Sequence, residues 1–129
     1  MRFRPVDPPR TFTVGLGREI EMKDCGRVEL APDEQVTFLT EGGAEYDVAR
    51  KDWGFYATPS LNSRLKRFGL RGVLIRNRLG HYFLLLVEKG HEEGFRRYLA
   101  EEGLHLVTWM DDDQPLQELE EALEGRRES

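Results

Sequence analysis

The sequence predicts an α+β fold: an antiparallel, β-rich N-terminal half, sheet or sandwich-like, followed by a β-hairpin, a β-α-β unit and a C-terminal helix. Three observations predict it. Apolar and polar residues alternate with period two through residues 19–57, the pattern of strands with one buried and one wet face. The spacing then changes to i, i+4, i+7 at Leu61, Leu65 and Phe68, the stripe of a short helix. Finally, a strand, a helix and a strand follow in quick succession between residues 82 and 110, making one compact unit.

Taken in order, residues 1–10 hold Pro5, Pro8 and Pro9 and no apolar period, so they are expected as an extended arm, ordered only if something captures it. Thr11–Val14 reads as a short strand, punctuated by Gly15-Leu16-Gly17. Ile20 and Met22, Val28 and Leu30, Val36 and Phe38, and Tyr46 and Val48 each alternate with polar neighbours. Ala31-Pro32-Asp33-Glu34 and Glu41-Gly42-Gly43-Ala44 supply the turns between them. Trp53–Ala57 is a further strand, closed by Thr58-Pro59.

Ser60 is placed to cap the helix of Leu61, Leu65 and Phe68, and Gly69 suits the left-handed position after it. Val73–Ile75 and Tyr82–Val87 form a hairpin. Its second arm, Tyr-Phe-Leu-Leu-Leu-Val, is apolar on both faces and is expected as a central strand. Phe95, Tyr98 and Leu99 lie on one face of a helix over 91–102 that Gly103 stops, and Leu104–Met110 is another strand. Leu116, Leu119 and Leu123 mark a helix over 115–124. Asp111, Asp112 and Asp113 precede it, where negative charge meets the positive end of the helix dipole. With no repeat, low-complexity stretch or linker, the organisation is an arm (1–10), one α+β domain (11–125) and a polar tail (126–129).

Composition narrows the function classes. In 129 residues there are 19 Lys+Arg against 24 Asp+Glu, a net charge of -5, which speaks against a coater of duplex DNA. No apolar run approaches the ~20 residues that span a bilayer, so no membrane insertion is expected. The single cysteine, Cys25, forms no internal disulfide framework. Together these features lead to the expectation of a cytoplasmic protein.

The most informative stretch runs from Lys51 to Leu65. Three aromatics (Trp53, Phe55, Tyr56) end a strand, and a turn rich in hydroxyls and amides (Thr58, Ser60, Asn62, Ser63) opens a helix. Free N–H groups at such a helix start can hold an anion. Between residues 64 and 78 there are six basic residues (Arg64, Lys66, Arg67, Arg71, Arg76, Arg78) and no acidic one, a local inversion of the chain's charge. Aromatic faces beside guanidinium groups suit a phosphate-bearing, sugar-bearing ligand. The predicted ligand-binding set is Trp53, Tyr56, Ser60, Asn62, Ser63, Arg64 and Arg67. The plainer alternative is that the aromatics are core and the basic residues face the acidic C-terminal helix (Glu118, Glu120, Glu121, Glu124).

The string Lys51-x-Trp53-Gly54-Phe55-Tyr56-Ala57-Thr58-Pro59-Ser60-Leu61-Asn62, with Phe68-Gly69-Leu70 after it, resembles a family of small bacterial proteins encoded among surface-polysaccharide and nucleotide-sugar genes. The resemblance extends over about Ile20 to Trp109. It carries no catalytic residue with it, and implies an accessory role near activated sugars.

Other constellations are weaker. His81, His91 and His105 are not spaced as metal ligands, Cys25 has no histidine near it in sequence to act as a base, and Asp111–Asp113 lacks the calcium-loop spacing. Asp24, Asp47 and Asp52 lie beside hydroxyls but also fit wet strand faces. No metal or cofactor is implied. The ranking that results puts first a binding or accessory protein for a nucleotide sugar, a sugar phosphate or an acidic saccharide. Second is a protein-interaction module, either a homodimer joined by the basic 64–78 and acidic 111–124 segments or a dock onto a biosynthetic enzyme. A small sugar-modifying enzyme is third and an RNA binder fourth.

Overall fold

The computed structural model describes residues 1–128, with Ser129 outside the described part. Strand outweighs helix, 45% to 23%, and the α+β architecture read from the alternation is what the chain adopts. Three small antiparallel sheets succeed one another along the chain. The first is a ribbon of β1 (Arg2–Val14) and β2 (Ile20–Glu29). The second is β3 (Gln35–Leu39), β4 (Glu45–Lys51) and β5 (Gly54–Tyr56), in that spatial order. A single helical turn, α1 (Arg64–Arg67), leads to β6 (Leu70–Arg76) and β7 (Tyr82–Glu88). Then come α2 (Glu92–Glu102), β8 (His105–Trp109) and α3 (Asp113–Glu128). The third sheet has the order β7-β6-β8.

The expected arm is extended, and β2 is what captures it. Arg2–Pro5 pair with Gly26–Glu29 and Arg10–Val14 with Ile20–Asp24, with a register break between them where prolines withhold their amides. Thr11–Val14 is thus the end of a long strand. A two-stranded ribbon is marginal on its own in water. This one is fastened at its tip, where the Leu16 and Gly17 amides donate to Glu102 Oε2 at 2.7 Å and the Arg18 amide to Oε1 at 3.3 Å. Glu102, the last residue of α2, is buried. Gly17 permits the approach, since a Cβ there would lie 1.8 Å from the Glu101 carbonyl oxygen.

The core is built on β6. One of its faces packs Leu70 with Leu65, Ala44, Leu61 and Leu86, and the other packs Val73 and Ile75 with Val87, Phe95, Leu99 and Trp109. The strand covered on both sides is therefore β6 and not the more apolar β7, which lies at an edge. Two features of β6 explain this. Gly72 lets Leu61 close in from the α1 side, where a Cβ would lie 3.1 Å from Leu61 Cδ2. The Gly72 carbonyl also receives the Met110 amide at 2.8 Å, which draws β8 to the other flank. Polar and small residues within a strand do not bar it from the centre when each one meets a partner.

The predicted helix over 61–68 shrinks to one turn. Leu61 lies outside it but still packs, while Leu65 is fully buried. Gly69 and Gly103 take the left-handed conformations that end α1 and α2, with φ of 93° and 65°. At the C-terminus the prediction was too short. α3 runs straight through Gly125 and turns most of the expected tail into helix, since glycine without a left-handed φ is a poor former rather than a stop.

Candidate functional site

The predicted site residues spread over three faces of the molecule. Tyr56, Thr58, Ser60 and Arg64 line one depression of about 280 Å³, together with Gln35, Asp47 and Ala49. Register puts them there. Ala49 pairs with Tyr56 and Thr37 with Asp47, so β4 sets the carboxylate beside the β5 phenol. The chain then leaves β5 and returns as α1. Ser60 Oγ accepts the Arg64 amide at 2.9 Å, which holds the turn shut and aims Arg64 back at β4.

Asp47 is the anchor of this pocket. Its Oδ1 accepts from the Thr37 hydroxyl at 2.7 Å, and its Oδ2 receives Arg64 Nη2 at 3.1 Å and Nε at 3.4 Å. The Asp47 side chain is 15% exposed and that of Arg64 52%, so the guanidinium reaches solvent while the carboxylate lies beneath it. Phe68 backs the guanidinium, 5.0 Å from its ring centroid. Two of the five N–H groups of Arg64 are directed to Asp47, which leaves donors on its outer rim.

Beside the pocket the aromatics are open, which corrects the plainer alternative that they are core. Trp53 is 66% exposed, Tyr56 57% and Phe55 56%. Trp53 meets Tyr56 edge to face with centroids 5.6 Å apart. The strand that carries Phe55 and Tyr56 is three residues long and pairs on one side only, with β4. Tyr46 fixes its exit by donating its hydroxyl to the Ala57 carbonyl.

The other predicted residues lie elsewhere. The Asn62 amide donates to Asp113 Oδ1 at 2.8 Å and borders a groove along α3. Ser63 stands at the start of α1 and its side chain makes no capping bond. The hydroxyl that does bond there is Ser60's, and with Arg64's amide taken, a one-turn helix offers no anion site. Arg67 points to a separate hollow beside Glu45, Glu88 and His91.

Half of the basic stretch is matched within the chain, Arg64 by Asp47 and two further residues by acids ahead of α3. Lys66 Nζ lies 2.6 Å from Asp112 Oδ1, and Arg71 Nε lies 2.6 Å from Asp111 Oδ2. Lys66 beside it holds the Asp112 carboxyl below its usual range, and Asp112 in turn raises Lys66. The acids that answer the basic run are thus Asp111 and Asp112 ahead of α3, not the glutamates along it. Two of the six basic residues of the 64–78 segment are thus engaged by the 111–124 segment of the same chain. Among the described residues no group of three or more His, Cys, Asp or Glu converges to hold a metal. His91 faces Glu88 at 3.1 Å, and Cys25 is exposed. Among the described residues no helix is long and apolar enough to cross a membrane.

Gln35 is the site residue that the sequence reading does not single out, and Asp47 appears there only among three acids that also fit wet strand faces. Both sit on polar positions of alternating strands, where a carboxylate or amide is expected in any case; only the pairing of β4 with β3 and the return of α1 single them out. Comparisons with protein-family models, curated proteins and solved structures find no match.

Proposed function

We propose that the chain is a non-catalytic binding protein for an acidic or phosphate-bearing sugar. The sugar lies against Tyr56 and Trp53, and its polar groups enter the pocket floored by Asp47. The observation that carries this reading is the pairing of an uncovered indole and phenol with a depression that offers carboxylate, guanidinium, amide and hydroxyl groups together. Sugars present apolar C–H faces and rims of hydroxyls that both donate and accept, and this set answers both. The outer N–H groups of Arg64 supply charge-assisted bonds to an anionic substituent. A carboxylate already bonded to a guanidinium and a hydroxyl, with no nucleophile–base pair beside it, suits holding a ligand better than transforming it.

The resemblance of the Lys51–Asn62 string to bacterial proteins of surface-polysaccharide and nucleotide-sugar gene clusters supports the same ligand class, and an accessory role in the cytoplasm. The test is a panel of nucleotide sugars, sugar phosphates, uronic acids and neutral sugars in thermal-shift and calorimetric titrations. A rise in melting temperature with the anionic members, abolished by Arg64→Ala, is the expected result. No response to any anionic sugar, or a response unchanged by Arg64→Ala, overturns the proposal.

A further inference from the structure

We propose that two copies of this chain associate through the open edge of β7, joining their third sheets into one six-stranded sheet across a two-fold axis. This inference is independent of the sugar-binding reading.

Sheet edges are normally blunted by shortness, bulges, prolines or charges. Here β5 is three residues long, β8 has a register break against β6, and β1 is interrupted by prolines. β7, seven residues long, has no bulge and no proline, and its one charge, Glu88, stands at its end. Its pairing with β6 is unbroken from Leu70↔Glu88 to Arg76↔Tyr82, and residues 82–87 carry no charge and no proline.

The phase of the ladder says which backbone groups are free. The Lys89 amide donates to the Gly69 carbonyl and the Asn77 amide to that of His81, so Leu70↔Glu88 and Arg76↔Tyr82 are pairs without mutual hydrogen bonds. Counting inward by twos, Phe83, Leu85 and Val87 bond to β6. The amides and carbonyls of Tyr82, Leu84, Leu86 and Glu88 therefore point to the open edge.

A second copy of the same strand answers this edge. In the antiparallel register centred on Leu85, all four free positions are used: Tyr82 faces Glu88 of the other copy and Leu84 faces Leu86. Phe83 then meets Val87, and Leu85 meets itself. No like charges are opposed, and the only charged residue in the strand meets a phenol. Exposed side chains add apolar surface to the backbone pairing. Tyr82 is 62% exposed, Phe83 45% and Tyr98 of the adjoining α2 39%. At about 200 Å² per aromatic side chain this is on the order of 300 Å² of aromatic surface. Leu84, 45% exposed, enlarges the patch, against the ~800 Å² that each partner of a standard interface buries, main chain included.

Sedimentation velocity of the full chain, from micromolar to sub-millimolar, should show a species of twice 15.0 kDa. Because backbone pairing and apolar contact hold it, the dimer should persist in high salt. Leu84→Lys places a charge on the joined face and should give a monomer with an unchanged circular-dichroism spectrum. Leu85→Cys in a Cys25→Ser background should oxidise to a covalent dimer, because the two-fold brings that position against itself, whereas Val107→Cys on the opposite edge should not. A wild-type monomer throughout, or a dimer indifferent to Leu84→Lys, overturns the proposal. If Leu84→Lys fails to fold, the cysteine pair decides: no selective crosslink at Leu85 overturns it.

Discussion

Arg71 and Asp111 form the most deeply seated ion pair among the described residues. The Arg71 Nε donates to Asp111 Oδ2 at 2.6 Å, and the guanidinium carbon lies 3.9 Å from the centroid of the Trp109 ring. Trp109 in turn meets Phe95 of α2 edge to face, so β6, β8 and α2 converge on one stack. The Asp111 side chain is 3% exposed and that of Arg71 25%. The bond to Asp111 raises the guanidinium's already high pKa further.

Removing one member of such a pair strands the other. Arg71→Met, which keeps the contact with Trp109 but leaves a buried carboxylate unanswered, should cost about 3 kcal/mol. Urea unfolding checks it, and a cost under about 1 kcal/mol would place the pair among surface bridges.

The Glu102 clasp predicts a pH response of definite sign. Bonds from the Gly17 and Leu16 amides hold its carboxyl below the ordinary 4.5. The clasp therefore contributes its full stability above that ordinary value and loses it as pH falls through the depressed one. Thermal midpoints followed from neutral to acid pH should fall more steeply in the wild type than in Glu102→Gln. At neutral pH the variant should lose hydrogen-exchange protection at Leu16 and Gly17.

Trp53 separates binding from stability. With two thirds of its surface in water, Trp53→Ala should shift folding stability by no more than about 0.5 kcal/mol. The same change should weaken binding of the sugar ligand at least tenfold by calorimetry. Losing fold and binding together would make the indole structural.

Gly125 offers a stabilising change. It lies within α3, lacks a positive φ, and a Cβ there would meet nothing within 4 Å. Gly125→Ala should add up to about 1 kcal/mol of helix stability, visible as helical circular dichroism retained to higher temperature than in the wild type.

Much of this architecture was legible because period-two alternation needs only local sequence. Ile20 with Met22 and Tyr46 with Val48 gave their strands, and Gly69 and Gly103 gave the ends of α1 and α2. What escaped was set by distant partners. β7 is more apolar than β6, yet β6 holds the centre because Leu61 packs over Gly72 while the Met110 amide bonds to the Gly72 carbonyl. The site was legible in part for the same reason. Tyr56, Ser60 and Arg64 come together as their string suggested, but Asn62 is drawn off by Asp113, 51 residues away. The charge inversion over 64–78 looked like an open shoulder because Asp111 and Asp112 lie 40 residues or more beyond their partners.

The ribbon's clasp also fixes an order of events in folding. β1 and β2 are neighbours in sequence and can zip within microseconds, whereas Leu16 and its acceptor Glu102 are separated by 86 residues. The ribbon is thus made early and moored late. During synthesis it waits until Glu102 has emerged, with Phe12, Val14, Ile20 and Met22 all more than a third exposed even after mooring. That interval is when nascent chains of this protein are most prone to clump, and when a chaperone that grips apolar β-structure would matter most.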